Sequence, residues 1–289
     1  MMTVSPVAGA LGADVRGLDL SRPLNSEQVA AIRRALLNHC VLFFREQPVL
    51  SVEQHSRLTR YFGELEVTPF QREGHDPTLL MIEQYDARLS RNSQGANFHS
   101  DNTFRPYPPM GALLQAHVLP ERGGDTCFAS MYAAFDGLSA RMRAYLDGME
   151  AWHSLEQMKS RLASTTGTKL SIDLDLWPPI KHPVVAIHPE TGRKLLNVNY
   201  NWTTHLDGVP RAESDTILHY LFEHIRRPEF QARIRWNVGD IAFWDNRSAQ
   251  HCAVADYEGR RVMQRLAIAG SPAFAVMPTE MLETAIAAQ

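Results

Sequence analysis

The second half of this 289-residue chain sets short runs of β-forming residues between turn signals, and this punctuation limits the fold more than any other feature. Val184-Val185-Ala186-Ile187 and Leu195-Leu196-Asn197-Val198 flank Pro189-Glu190-Thr191-Gly192, a hairpin signature. Short β-type runs follow at Arg233 to Trp236, Ile241 to Trp244 and Val262 to Ala269, with Gly239-Asp240 turning between the first two. Upstream, Ala112 to Leu119 reads as a strand, Glu121-Arg122-Gly123-Gly124-Asp125 as a turn and Thr126-Cys127-Phe128 as a strand resuming. Nothing in this stretch alternates strand and helix regularly, which argues against a parallel α/β sheet and for a sandwich or barrel body.

Helical signals flank this body. Asn25-Ser26-Glu27-Gln28 and Ser51-Val52-Glu53-Gln54 are capping-box patterns opening two helices, with Val41-Leu42-Phe43-Phe44 as a buried strand between them. Met131 to Leu146 has helical composition, and Ile217, Leu218, Leu221, Phe222 and Ile225 mark a helix with one apolar face. Residues 154–180 are irregular, and Arg88 to Gly95 reads as a mobile loop able to act as a lid. No Pro/Gly/Ser linker divides the chain, so residues 1–289 are expected to form one domain, mainly β with helices outside. The net charge of -3 gives no nucleic-acid signal, and no apolar run approaches the ~20 residues of a membrane span. The opening MMTVSPVAGALGADVRG lacks a basic segment leading into an apolar core, so no signal peptide is expected. Cys40, Cys127 and Cys252 are odd in number and widely spaced, which fits packed core thiols in a cytoplasmic protein.

The candidate chemistry lies in His-x-carboxylate pairs. In an extended strand such a pair shares a face, and with one further His it forms the 2-His-1-carboxylate set that covers one side of a ferrous ion. With 12 His and 32 Asp and Glu, chance alone supplies about 1.3 such pairs, and the chain holds three: His99/Asp101, His188/Glu190 and His205/Asp207. Glu190 falls in the hairpin turn and reads most simply as a solvated turn residue. His205/Asp207 has His224 as a possible third ligand, but Asp207-Gly208-Val209-Pro210 is turn chemistry and His224 reads as an exposed helical residue. For His99/Asp101 the best third ligand is His251, which follows the Ile241 to Trp244 strand. Arg261 and Arg265 lie just beyond and share a face if that segment is a strand, a cationic pair suited to a dianion. His205/Asp207 stays open as a rival at this level.

The ordered motifs His99-Ser100-Asp101, Gly123-Gly124-Asp125-Thr126, HPETGRKLLNVN from His188, PEFQARIRW from Pro228 and GDIAFWDNRSAQHCAVADY from Gly239 together resemble the taurine dioxygenase/aryloxyalkanoate dioxygenase family, from about Val41 to Gly270. The resemblance implies a double-stranded β-helix (jelly roll), a dependence on Fe(II), 2-oxoglutarate and O2, and an enzyme that hydroxylates a small organic substrate with release of succinate and CO2. Carried over, His99, Asp101 and His251 would hold iron, Thr126 and Arg261 would bind the distal carboxylate of 2-oxoglutarate, and Arg265 would meet the anionic group of the substrate. Asn97, Thr68, Gln71 and Trp202 match further substrate positions. Thr68 and Gln71 stand where the taurine enzyme has His and Tyr, and Trp202 where it has Phe. The implied substrate is therefore a larger or more apolar anion than taurine, a sulfonate or related compound, with aryloxyalkanoates and alkyl sulfates as alternatives. A non-catalytic jelly-roll binding module is the alternative from another class, and the retained Thr126 and Arg261 argue against it. The resemblance also implies a homo-oligomer, dimer or tetramer.

Overall fold

The structure, a computed structural model, describes residues 2–68, 76–86, 95, 97–156 and 174–278. Strands β1 (Thr3–Pro6) and β2 (Ala13–Arg16) precede helix α1 (Ser26–His39), strand β3 (Val41–Phe44) and helix α2 (Val52–Arg60). Both helices open on reciprocal capping boxes, Asn25 with Gln28 and Ser51 with Gln54, as the sequence predicts. Strands β4 (Leu79–Asp86), β5 (Gly111–Val118) and β6 (Thr126–Ser130) follow.

The helical composition of 131–146 resolves into α3 (Met131–Asp136) and α4 (Ala140–Leu146), because Gly137 caps the first and the Ser139 side chain caps the second. Next come β7 (Glu150–His153), β8 (Ile180–Pro183), the hairpin pair β9 (Val185–Ile187) and β10 (Lys194–Leu196), β11 (Thr203–Leu206), helix α5 (Arg211–Ile225), then β12 (Gln231–Ile234), β13 (Ile241–Asp245), β14 (Ala249–Ala253) and β15 (Glu258–Ile268).

The strands form a jelly roll. A seven-stranded sheet runs β1-β2-β3-β13-β5-β15-β4, and a three-stranded sheet β12-β6-β14 lies against it. Phe43 and Trp244 of the large sheet meet Phe128 of the small one at ring-centroid distances of 5.7 and 5.8 Å. Strand parity sorts the core onto two faces. Val41, Phe43, Leu114, Ala242, Trp244 and Met263 point into the roll. Leu42, Phe44, Leu113, Ile241, Phe243 and Ile268 point outward, where α1 and α2 cover them with Ile32, Leu36, Leu58 and Phe62.

The structure revises one sequence expectation about histidines. His224 is buried, its Nε2–H donating to the Ala134 carbonyl at 2.8 Å, because α5 packs that face against the body. Glu190 is an exposed residue of the β9–β10 turn, as expected, and is also bound by Arg33 and by Arg247, each at 2.8 Å. His188 is also buried, and its Nε2–H donates to Asp245 at 3.0 Å. Cys40 is a core thiol as expected, whereas Cys127 and Cys252 are half-buried. The lid expected at Arg88 to Gly95 falls outside the described residues apart from Gly95, as do residues 157–173 of the irregular segment.

On the outer face, Gln264 of β15 donates to Nδ1 of His55 in α2 at 2.9 Å. Burial drives His55 down to about 3, so it stays neutral in the fold and binds a proton only once unfolded. Its folded pKa is depressed, so its contribution is constant above the unfolded value near 6.5 and is lost as pH falls below it. Between pH 7 and pH 5 this one residue should remove about 2 kcal/mol of stability. Urea unfolding of wild type and His55→Gln at both pH values checks this, the variant showing the smaller loss.

Candidate metal centre and its cavity

His99 and Asp101 do not share a strand as parity supposed. His99 forms an isolated antiparallel bridge with His251 of β14, with His99 N–H to His251 O at 3.1 Å and His251 N–H to His99 O at 2.9 Å. The chain then turns, with Asn102 in the left-handed region at φ 49°. This turn aims Asp101 at the imidazole pair, the role that strand pleat was expected to perform.

Asn246, directly after β13, clamps the turn. Its Oδ1 accepts the Asp101 N–H at 2.7 Å, and its Nδ2 donates to the carbonyls of Asp101 at 3.1 Å and Pro109 at 3.0 Å. The buried Trp202 donates its indole N–H to the Ser100 carbonyl at 2.8 Å and packs on Phe104 at 4.9 Å. Trp202 therefore supports the motif from behind and does not line the cavity where the sequence match put it.

One ligand atom from each of His99, Asp101 and His251 lies within 4.8 Å of the others. Asp101 Oδ1 stands 3.8 Å from His99 Nε2 and 3.9 Å from His251 Nε2, beyond hydrogen-bond range, so the three converge on a shared point without bonding each other. His99 donates its Nδ1–H to the Asn97 carbonyl at 2.7 Å, which leaves the lone pair on Nε2. Burial holds both imidazoles neutral, His251 at about 3. Burial raises the Asp101 pKa, but the nearby Arg265 guanidinium opposes it and the net shift is downward, so the carboxylate is ionised. Arg265 Nη2 donates to Asp101 Oδ2 at 2.6 Å and leaves Oδ1 toward the histidines. The buried Nδ1 of His251 has no hydrogen-bond partner among the described residues. Two neutral imidazoles and one carboxylate fit a divalent transition ion such as Fe(II).

A cavity of about 260 Å³ opens over this group, lined by Thr126, Arg261 and Arg265 with Leu80, Ile82, Leu114 and Trp244 among others. Arg261 and Arg265 fall on the inner face of β15, as their spacing predicts, while Arg260 points outward to Glu83 at 2.8 Å. Arg261 Nε donates to the Gly124 carbonyl at 3.0 Å. Gly123 and Gly124 take φ of 77° and 75°, and a Cβ on Gly124 would stand 3.2 Å from Arg261 Cδ. The glycine pair thus lets the turn lie along the arginine and deliver Thr126, whose Oγ1 accepts the Trp236 indole N–H at 3.1 Å.

The remaining predicted residues are not brought together with these. Asn97 orients His99 through its carbonyl, while the residue itself lines a neighbouring cavity of about 300 Å³. Thr68 is buried and outside the cavity lining, and Gln71 lies outside the described residues. His205 and Asp207, the rival pair, are on the surface side of β11, where Asp207 accepts from Trp152 and Lys181.

Sequence inspection missed Glu66. It is buried behind the turn, accepts from Asn102 Nδ2 at 3.0 Å and pairs with Arg105 at 3.1 Å. It also missed the apolar wall, for which the period-two spacing of Leu80, Ile82 and Gln84 in β4 was the available signal.

A jelly roll that gathers two neutral imidazoles, an ionised carboxylate and two buried guanidinium groups around one cavity has the fold and donor set of the 2-oxoglutarate-dependent dioxygenases. The chain belongs to the taurine catabolism dioxygenase TauD, TfdA family, whose model matches residues 3–267. It is 33% identical to an alkylsulfatase of Acinetobacter baylyi over 280 residues, covering 91% of this chain and 84% of that protein. It is also 33% identical to an alpha-ketoglutarate-dependent sulfate ester dioxygenase of Pseudomonas putida, covering 93% and 90%. A taurine dioxygenase from Burkholderia xenovorans superposes with a TM-score of 0.78 at 34% identity, covering 95% of this chain and 93% of its own. AAD-2, in complex with Mn(II) and N-oxalylglycine, superposes with a TM-score of 0.80 at 28% identity, covering 95% and 100%.

Trp202→Phe removes the indole donor to Ser100 while keeping an aromatic ring. Mn(II) binding followed by electron paramagnetic resonance should weaken by about tenfold, the cost of losing support around a ligand. Were Trp202 a cavity-lining group, the affinity would not change.

Proposed function

We propose that His99, Asp101 and His251 hold one ferrous ion, that Thr126 and Arg261 bind the distal carboxylate of 2-oxoglutarate, and that residues 1–289 act as one dioxygenase domain. The convergence of the three ligand atoms beside a cavity that also contains Arg261 and Thr126 carries this reading. A purely structural metal site needs no co-substrate anchor. A dianion does, and a buried guanidinium can grip a carboxylate through two parallel N–H donors. Ferrous iron with 2-oxoglutarate and O2 supplies the oxidising chemistry, consuming the co-substrate to succinate and CO2 as the substrate is hydroxylated. The protein's own residues bind, orient and exclude water. Arg265 holds Asp101 by one oxygen, and Leu80, Ile82, Leu114 and Trp244 keep the reacting space dry.

The substrate class follows from the same wall. Arg265 lines the cavity beside Asp101, so its guanidinium can meet an anionic group there. The apolar part of the lining suits a hydrocarbon or aryl portion, and among the described residues Asp101 is the lining's one carboxylate, itself paired with Arg265. An alkyl sulfate or aryloxyalkanoate fits this combination better than taurine. Similarity to the sulfate ester dioxygenase and to a 2,4-dichlorophenoxyacetate dioxygenase of Cupriavidus pinatubonensis, 32% identical over 281 residues with 91% of this chain and 96% of that protein covered, supports that choice. The three thiols support a reducing compartment, the cytoplasm, and a homo-oligomer, dimer or tetramer, is the assembly expected there.

Anaerobic addition of Fe(II) and 2-oxoglutarate should produce a visible charge-transfer band that is absent in His99→Ala and weakened in Arg261→Ala. No band in wild type, together with no succinate release across a substrate panel, would overturn the assignment. For the anionic group, Arg265→Ala should raise KM for an alkyl sulfate by about a hundredfold, equivalent to roughly 2.7 kcal/mol. Arg260→Ala on the outer face is the control and should leave KM unchanged.

A further inference from the structure

We infer that Cys127 and Cys252 form an oxidation-sensitive thiol pair whose closure into a disulfide disables the metal centre; the second half of this inference rests on the metal reading above. The two residues are directly opposed Cα partners in the antiparallel pairing of β6 with β14. All three cysteines are thiols in this structure, and these two are half-buried; burial raises both thiol pKa values, Cys252 to about 11, so oxidation runs slowly through the small thiolate fraction. Sidedness is set by their neighbours. Thr126 and His251 line the cavity, so Cys127 and Cys252, one residue further along each strand, both face out of the roll.

The backbone fixes the spacing. Met131 N–H donates to Ser248 O and Val254 N–H to Asp125 O, each at 2.9 Å, at the two ends of this ladder. Hydrogen-bonded pairs alternate along an antiparallel ladder, and counting in twos from either end makes Cys127 and Cys252 such a pair. Pairs of this kind hold Cα atoms about 5.5 Å apart, inside the range disulfides span. Their Cβ atoms lie about 4.5–5.5 Å apart, whereas a disulfide draws them to about 3.8 Å. Closure must therefore pull the strands together by roughly 1 Å at the residues next to Thr126 and His251. Ligand and anchor geometry tolerates only about 0.5 Å.

Hydrogen peroxide is the oxidant class. One thiol sulfur attacks a peroxide oxygen, the O–O bond breaks, and a sulfenic acid and one water form. The second thiol sulfur then attacks the sulfenic sulfur, the S–O bond breaks and a second water leaves. Two thiols are oxidised and one peroxide is reduced. Strain of this kind makes a disulfide easily reduced again, as a reversible switch requires.

The test uses the full-length, reduced, metal-free protein exposed to hydrogen peroxide. Mass spectrometry should show loss of two hydrogens and a peptide joining Cys127 to Cys252. The oxidised protein should bind Mn(II) about tenfold more weakly, with recovery in dithiothreitol. Cys40→Ser should behave as wild type, while Cys127→Ser and Cys252→Ser should form no bridge and keep their Mn(II) affinity in peroxide. Thiols that stay fully alkylatable, a bridge through Cys40, or a bridge that leaves Mn(II) affinity unchanged would each overturn the inference. Failure of the reduced protein to bind Mn(II) would instead overturn the metal reading, with the bridge still scored by mass alone.

Discussion

The backbone bridge between His99 and His251 is the constraint on which the site depends. Two hydrogen bonds join segments far apart in sequence, and the pairing sets the two rings 4.3 Å apart. β14 is itself fixed by its register on β6, so His99 inherits its position from a sheet that also carries Thr126. The turn after the bridge has little regular structure of its own. It is held by side chains reaching in from elsewhere, Asn246 at the end of β13 and Trp202 near β11. A ligand set assembled this way is rigid because its supports belong to the core, although the motif lies in a turn.

Charge balance is the second constraint. A buried carboxylate must be neutralised, and Asp101 is answered by Arg265. Behind it, Glu66 is answered by Arg105, which also lies over the Trp177 ring at 4.7 Å and donates to the Val67 carbonyl at 3.0 Å. Burial still raises the Glu66 pKa, with Arg265 and Arg105 opposing it. These pairs link the carboxylate ligand to both flanks of the cavity. On the proposed function, an anion that engages Arg265 acts on the same guanidinium that orients Asp101, which would couple substrate binding to metal geometry through one side chain.

The fold was legible in the sequence wherever a local rule was complete. The capping boxes at Asn25 and Ser51 and the β9–β10 hairpin appear where turn and cap chemistry put them, and strands flank Gly239 as expected, although β12 and β13 join different sheets. The candidate ligands His99, Asp101 and His251 were picked out by motif order and do converge, yet the strand geometry assumed for the first two was not what joins them. Periodicity describes a segment's faces and says nothing about a bridge made to a distant partner. The same gap explains His224, Glu190 and Trp202, whose environments come from packing partners elsewhere in the chain. Glu66 carried no sequence signal, because its burial depends on Asn102 and Arg105, which the fold brings to it from the turn after His99.

The cavity divides along the sheets. Its metal-facing side, Thr126, His251 and the bridged His99, belongs to β6, β14 and the turn they hold, while Arg261 and Arg265 reach in from β15 of the large sheet. Its apolar wall draws Leu80 and Ile82 from β4, the last strand of the large sheet, paired among the described residues by β15 alone. A side-chain change on an edge strand disturbs one neighbour where a change on a central strand disturbs two. Volume at positions 80 and 82 is therefore the least costly variable in the site, and the shape of the substrate's apolar portion can be set there without moving the bridge that holds the metal ligands.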